Sequence, residues 1–192
     1  MNGPAGTSGQ ASASSLRRRL LRLGLRWRLV DSKFRHNKSR YVAQCLGATA
    51  TILLVLLLLD SVKQTVLIAS LGASAFIAFA APRSYASRPR ALIGGYCVGT
   101  LLGCGLSFVA VAMAARSGLP LHTLQIVGGA VASGLAFFAM VVSDTEHPPA
   151  AALAIGFVLN EWDLSTVAVV LSGITALSLV KEIFRARLMD LV

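Results

Sequence analysis

Seven residues near the three-quarter point of the chain, Ser143-Asp144-Thr145-Glu146-His147-Pro148-Pro149, carry the side chains best suited to chemistry. They interrupt an apolar sequence, with no ionisable residue from Leu124 to Val142 or from Ala150 to Leu159. Ionisable groups are costly at membrane depth and tend to mark a substrate or proton pathway there. Asp144, Glu146 and His147 can form a proton path, the imidazole titrating near neutral pH. Pro148 and Pro149 lack an N–H, so they remove two of the unpaired donors at a helix start and preset its first turn. The amides of Ala150 and Ala151 are then left over and, with the positive end of the helix dipole, can hold a small anion. The plainer alternative is a loop in which Asp144 or Thr145 caps a helix end.

Ionised Asp144 and Glu146 would repel an anion, and the nearest cations, Arg83, Arg88 and Arg90, lie in another loop on the same expected face. Either the arginines fold against the acids, or the acids are protonated. A proton-coupled carrier of a monovalent anion is compatible with both.

The elements that position this stretch are membrane helices. Of the 192 residues 55% are hydrophobic and 14% charged, with a mean hydropathy of +0.71, which is too apolar for a soluble domain. The apolar runs are continuous, whereas barrel strands alternate, so the fold class is all-α. Cys45, Cys97 and Cys104 fall inside these runs and read as helix-packing thiols. His36, His122 and His147 are scattered with no His-x-x-x-His pattern, so no metal site or cofactor is expected. An enzyme is a competing class, but a Ser143–His147 device lacks a nucleophile elbow and no catalytic residue is assigned.

Residues 1–15 carry no charge and read as a disordered tail. Residues 16–40 hold ten of the eighteen Lys and Arg, flanking a stripe of Leu16, Leu20, Leu23, Trp27 and Val30. This is a basic amphipathic arm suited to anionic lipid, or a patch that holds the N-terminus in the cytoplasm. The same composition resembles an organelle transit peptide, and nucleic-acid binding is not expected. A scaffold or subunit working through this arm is a further alternative to a carrier. Residues 41–184 form the transmembrane domain and 185–192 a C-terminal tail.

The expected spans are Val42–Leu59, Gln64–Ala81, Ala91–Ala115, Leu124–Val142 and Leu164–Val180, with a short apolar segment, Ala150–Leu159, after the prolines. If the short segment crosses, the basic loop 83–90 and both termini lie on the cytoplasmic side, which the positive-inside rule favours over a re-entrant segment. Six crossings divide into two threes, each with a weaker middle member, suggesting a 3+3 inverted repeat around a midplane site. Gly95, Gly99 and Gly103 make a glycine ladder for close helix packing, and Gly129 with Ser133 a small-xxx-small pair.

Taken together, the motifs resemble the HPP family of small membrane proteins. The resemblance runs over residues 44–182 through Gly72-Ala73-Ser74, Ala81-Pro82, Arg88-Pro89-Arg90, Ile93-Gly94-Gly95 and the stretch Asp144 to Ala151. It implies transport of a small inorganic anion, as in members associated with nitrite, through a site of His147, Pro148, Pro149, Ala150, Gly72, Ala73 and Ser74. Arg88 and Arg90 are placed as electrostatic partners, and Gly72 to Ser74 are expected to face a central cavity. Position 96 departs from the family pattern, Tyr standing where His is usual. The implied location is a bacterial cytoplasmic membrane, or alternatively a plastid or mitochondrial one. A homo-oligomer is compatible with all of this.

Overall fold

A chain surrounded by lipid has to satisfy its backbone internally, so uncharged apolar runs become helices and break only where the backbone is barred from continuing. The computed structural model describes residues 37–59 and 65–191. The chain divides after Asn37, and the helices belong to one unit, Lys38–Val192. In order they are α1 (Lys38–Leu59), α2 (Thr65–Ala80), a 3-10 turn (Tyr85–Ser87), α3 (Pro89–Ser117), α4 (Leu121–Ser143), α5 (Pro148–Leu159) and α6 (Leu164–Phe184). The described residues contain no strand. α3, α4 and α6 are long and apolar enough to cross a membrane, while α5 and the stretch Val66–Ala80 of α2 are shorter apolar helices. The expected N-terminal tail, residues 1–15, and nearly all of the basic arm lie outside the described residues.

Local chemistry sets the ends. Pro89 opens α3 and Pro148-Pro149 open α5, where a missing N–H has no helical partner to lose. Asp144 closes α4 in the left-handed conformation, φ 58°, its N–H and that of Thr145 directed to the last carbonyls of the helix. Asp163 opens α6 with a capping box, its carboxylate accepting from the Thr166 N–H at 2.8 Å.

Where helix ends differ from the expected ones they do so by one to four residues, most at the two ends of the bundle sequence. α1 begins at Lys38, so the last residues of the expected arm form its first turn, and α6 continues past Val180 through Lys181 to Phe184. The expected C-terminal tail is packed: Leu188 joins the core, the Leu191 N–H donates to Ala80 O at 2.8 Å, and the Tyr41 hydroxyl donates to Leu191 O at 2.9 Å. Cys45 and Cys97 are exposed rather than packed, and Cys104 is half-buried; position within an apolar run does not say which face of the helix a residue occupies.

α3 packs on α4, α5 and α6; α2 packs on α1, α5 and α6; α4 packs on α5, and α1 on α6. Exchanging α1, α2, α3 for α4, α5, α6 maps these principal pairings onto themselves, with α2 paired to α5 and α3 to α6. This is the pattern a 3+3 inverted repeat requires.

The glycine ladder sets the depth of α5. A Cβ on Gly95 would meet His147 Cβ at 2.8 Å, one on Gly99 would strike the Ala150 carbonyl, and one on Gly103 would meet Ala154 Cα at 2.9 Å. α5 therefore runs parallel to α3 at backbone contact. His147 lies opposite a residue six positions into α3, about 9 Å below its start. At the other end the Trp162 indole donates to Ser107 Oγ at 3.1 Å, ten positions or about 15 Å short of the end of α3. α5 occupies the middle of the bundle and traverses it in one direction, and α6 returns to the end where α1 begins.

Candidate functional site

His147 is wholly buried, as are Ser74 and Tyr96, and Ser70 is nearly so. Four elements hold the imidazole: α5, of which it is the N-cap; the 3-10 turn, whose Ala86 carbonyl lies 2.8 Å from Nδ1; α2, whose Ser74 Oγ lies 2.8 Å from Nε2; and α3, whose Tyr96 ring is 5.7 Å away between centroids. A carbonyl only accepts, so Nδ1 carries a proton. The neutral ring then accepts at Nε2 from the Ser74 hydroxyl.

Ser74 has a second acceptor within reach, Ser70 O at 2.9 Å in its own helix. Tyr96 Oη lies 2.8 Å from Ser74 Oγ and 3.2 Å from Ser70 Oγ, and the Ser70 hydroxyl donates to Leu67 O at 2.7 Å. The cluster is thus satisfied in two proton inventories. With His147 neutral, Ser74 donates to Nε2. With His147 protonated, Nε2–H donates to Ser74 Oγ, Ser74 turns to Ser70 O, and Tyr96 still donates to a serine oxygen. One hydroxyl rotation separates them. Thr100, one turn beyond Tyr96 on the same stripe of α3, has a buried hydroxyl with no partner among the described residues.

The acids stand outside this core. Asp144 is exposed, its carboxylate 3.7 Å from the Arg90 guanidinium, which also donates to Ser143 O at 2.9 Å. Arg88 lies over the Tyr85 ring at 5.1 Å. The Tyr85 hydroxyl donates to Asp144 O at 2.6 Å, and desolvation together with the carboxylates of Asp144 and Glu146 pushes its phenol up to about 12, keeping it protonated. Glu146 is half-buried. Of the two arrangements open at the sequence level, the arginine of one loop folding against the acid of the other is the one found.

The expected residues divide. His147, Pro149, Ala150 and Ser74 are buried together on facing elements, while Pro148 is exposed. Gly72 and Ala73 lie on the exposed face of α2, with nothing near where a Gly72 side chain would be, so they do not face His147. On a helix, neighbours one and two positions from Ser74 point elsewhere. The anion cradle at the start of α5 is closed at its first amide, because the Ala150 N–H donates to His147 O at 2.9 Å. Tyr96 and Ser70 were not expected in the site. The departure from the family pattern at position 96 was the signal for the first; spacing of four from Ser74 was the only signal for the second.

Three long apolar helices, two shorter apolar ones and a polar cluster buried where α2, α3 and α5 meet define a multi-pass helical membrane protein. The family model described as "HPP, transmembrane region" matches residues 33–188, and the chain belongs to that family. Neither the curated proteins nor the solved structures yielded a match.

Proposed function

We propose that the protein is a carrier that moves a small monovalent anion, nitrite or one like it, together with a proton held on His147. The observation that supports this reading is the hydrogen-bonded bridge from His147 to Ser74, which ties α5 of the second half to α2 of the first and tolerates either charge state of the ring. A protonated imidazole buried here has no carboxylate bonded to it among the described residues, and a buried uncompensated charge costs several kcal/mol. An anion arriving with the proton removes that cost, which couples the two. Arg90 and Arg88, beside the loop of residues 144–147, supply an attractive field for anions. The hydroxyls of Tyr96, Ser70 and Thr100 continue from His147 toward the bundle interior and offer donors to a small oxyanion.

The end of the bundle that carries Arg40, Arg83, Arg88, Arg90, Arg185 and Arg187 is proposed to face the cytoplasm, since the other end has only Arg116 among its described cations, with Glu161 and Asp163. A bacterial cytoplasmic membrane fits, and a plastid membrane would fit the arm read as a leader.

The test is nitrite uptake by proteoliposomes under an imposed pH gradient. Uptake above that of empty vesicles, dependent on the gradient and lost in His147→Ala, is expected. Uptake indifferent to both the gradient and His147→Ala sinks the carrier reading. A cellular defect produced only by deleting residues 16–40, with His147→Ala silent, turns the argument to a scaffold acting through the arm.

A further inference from the structure

Away from His147, at the basic end of the bundle, a cavity of ≈ 400 Å³ opens between α1, the end of α2 and the end of α6. Its walls are apolar: Ala43 and Gly47 from α1, Phe79 from α2, Val180 and Phe184 from α6. Its polar groups are mostly engaged. The Gln44 amide donates to Phe79 O at 2.7 Å and Met189 O at 2.9 Å and accepts from the Met189 N–H, and the Thr51 hydroxyl donates to Gly47 O. What remains is Arg40 in the first turn of α1 and Arg187 just past α6, both lining the cavity and neither within ion-pair distance of a carboxylate among the described residues. Gly47 and Ala50 lie two to three turns further along α1, about 10 to 15 Å from Arg40. Two unpaired cations at one end and an apolar trough running inward match an anionic amphiphile.

We infer that this groove binds one anionic phospholipid, its phosphate between Arg40 and Arg187 and an acyl chain along Gly47, Phe79 and Val180. Basic pockets between membrane helices at a bundle end recognise lipid head groups in this way. The flanking side chains Leu46, Leu53, Leu179 and Ile183 are exposed and apolar, so the trough is continuous with a surface suited to acyl chains. Other occupants fit less well. Residues 1–36 carry eight Lys and Arg and one acid, the same sign as the two guanidiniums. A second copy of the chain would bring the same cations, and a free anion would leave the apolar depth uncovered. Because α1 belongs to one half and α6 to the other, the lipid straddles the seam between the halves.

The test is native mass spectrometry of the full-length protein released from detergent, titrated with phosphatidylglycerol or phosphatidylcholine. One tightly retained phosphatidylglycerol is expected above the looser lipids drawn by the arm, with no matching phosphatidylcholine and no displacement by inorganic phosphate. Each guanidinium near a lipid surface contributes about fivefold, so Arg40→Ala/Arg187→Ala should weaken the tight lipid by about 25-fold. Gly47→Leu keeps both charges but fills the trough, since a Cβ there meets only Phe79 Cε1 at 3.7 Å; it should also lose the lipid. If the double variant unfolds by circular dichroism, Gly47→Leu decides alone. Equal retention of the two lipids, retention unchanged in Gly47→Leu, or displacement by phosphate overturns the proposal.

Discussion

His147 Nε2 lies 2.8 Å from Ser74 Oγ, a contact between residues seventy-three positions apart that joins the two short helices of the bundle. Ser74→Ala leaves a wholly buried ring nitrogen without its partner, at an expected cost of about 1–3 kcal/mol. Tyr96→Phe removes a hydroxyl whose serine neighbours keep their own carbonyl acceptors, so its cost should stay within about 1 kcal/mol. Equilibrium unfolding in micelles ranks the two; equal losses would mean that the bridge is not the stabilising contact.

The ladder on α3 offers a sharper contrast. A methyl at Gly99 collides with the Ala150 carbonyl, which is backbone and can yield only if α5 moves, whereas a methyl at Gly105 meets nothing within 4 Å. Overpacking of this kind costs about 1–3 kcal/mol or more. Gly99→Ala should therefore lower the melting temperature in detergent, while Gly105→Ala gains up to about 1 kcal/mol of helix propensity. Two variants with the same melting temperature would contradict backbone contact between α3 and α5.

Acid sensitivity is expected at the far loop. Hydrogen bonds from the Ser165 hydroxyl and from the amide and hydroxyl of Thr166 hold the Asp163 carboxyl near 2, below its ordinary 3.8. A carboxyl depressed in the folded state stabilises fully above its unfolded value and loses that contribution as pH falls through its folded value. The cap should thus be intact at pH 5 and fail between about 4 and 2. Asp163→Asn should flatten that limb in a melting-temperature profile from pH 2 to 6; an unchanged profile would show that other carboxylates set the acid limb.

The tail gives a fourth prediction. Gln44 joins Phe79 O of α2 to both backbone groups of Met189. Gln44→Ala leaves buried carbonyls unpaired, so a loss of about 1–3 kcal/mol is expected, with faster proteolysis within residues 185–191. Protease resistance equal to that of the unaltered chain would mean that the Leu188 and Leu191 contacts hold the tail without it.

What was legible in the sequence follows from where the information sits. Uncharged runs, prolines and a four-residue glycine period are local, and they gave six helices, a short one after the prolines and a packing ladder. The symmetric 3+3 pairing was suggested by two weak middle segments, although the halves share no visible residue pattern, because an inverted repeat constrains pairings and not identities. Of the groups around His147 only Ser74 was named from the sequence; Ala86, Tyr96 and Ser70 were not legible. Gly72-Ala73-Ser74 is contiguous in sequence, but a helix turns its neighbours about 100° apart, and only Ser74 arrives. Tyr96 arrives because α3 and α5 touch at Gly95 and Gly99. The fold of residues 185–191 onto Ala80 and Gln44 depends on long-range backbone bonds that leave no periodicity to read.

At the opposite end from His147, the Trp162 ring is met edge-on by Phe108 at 5.3 Å and by Phe157 at 5.8 Å, and its N–H is tethered to Ser107. The loop carrying it stops well short of the end of α3, so the last turns of α3 run on beyond the indole, which is packed against the flank of that helix. Displacing that ring breaks a single N–H···O link, so with Trp27 replaced by Phe the emission of Trp162 would report directly on how firmly this end of the bundle is closed.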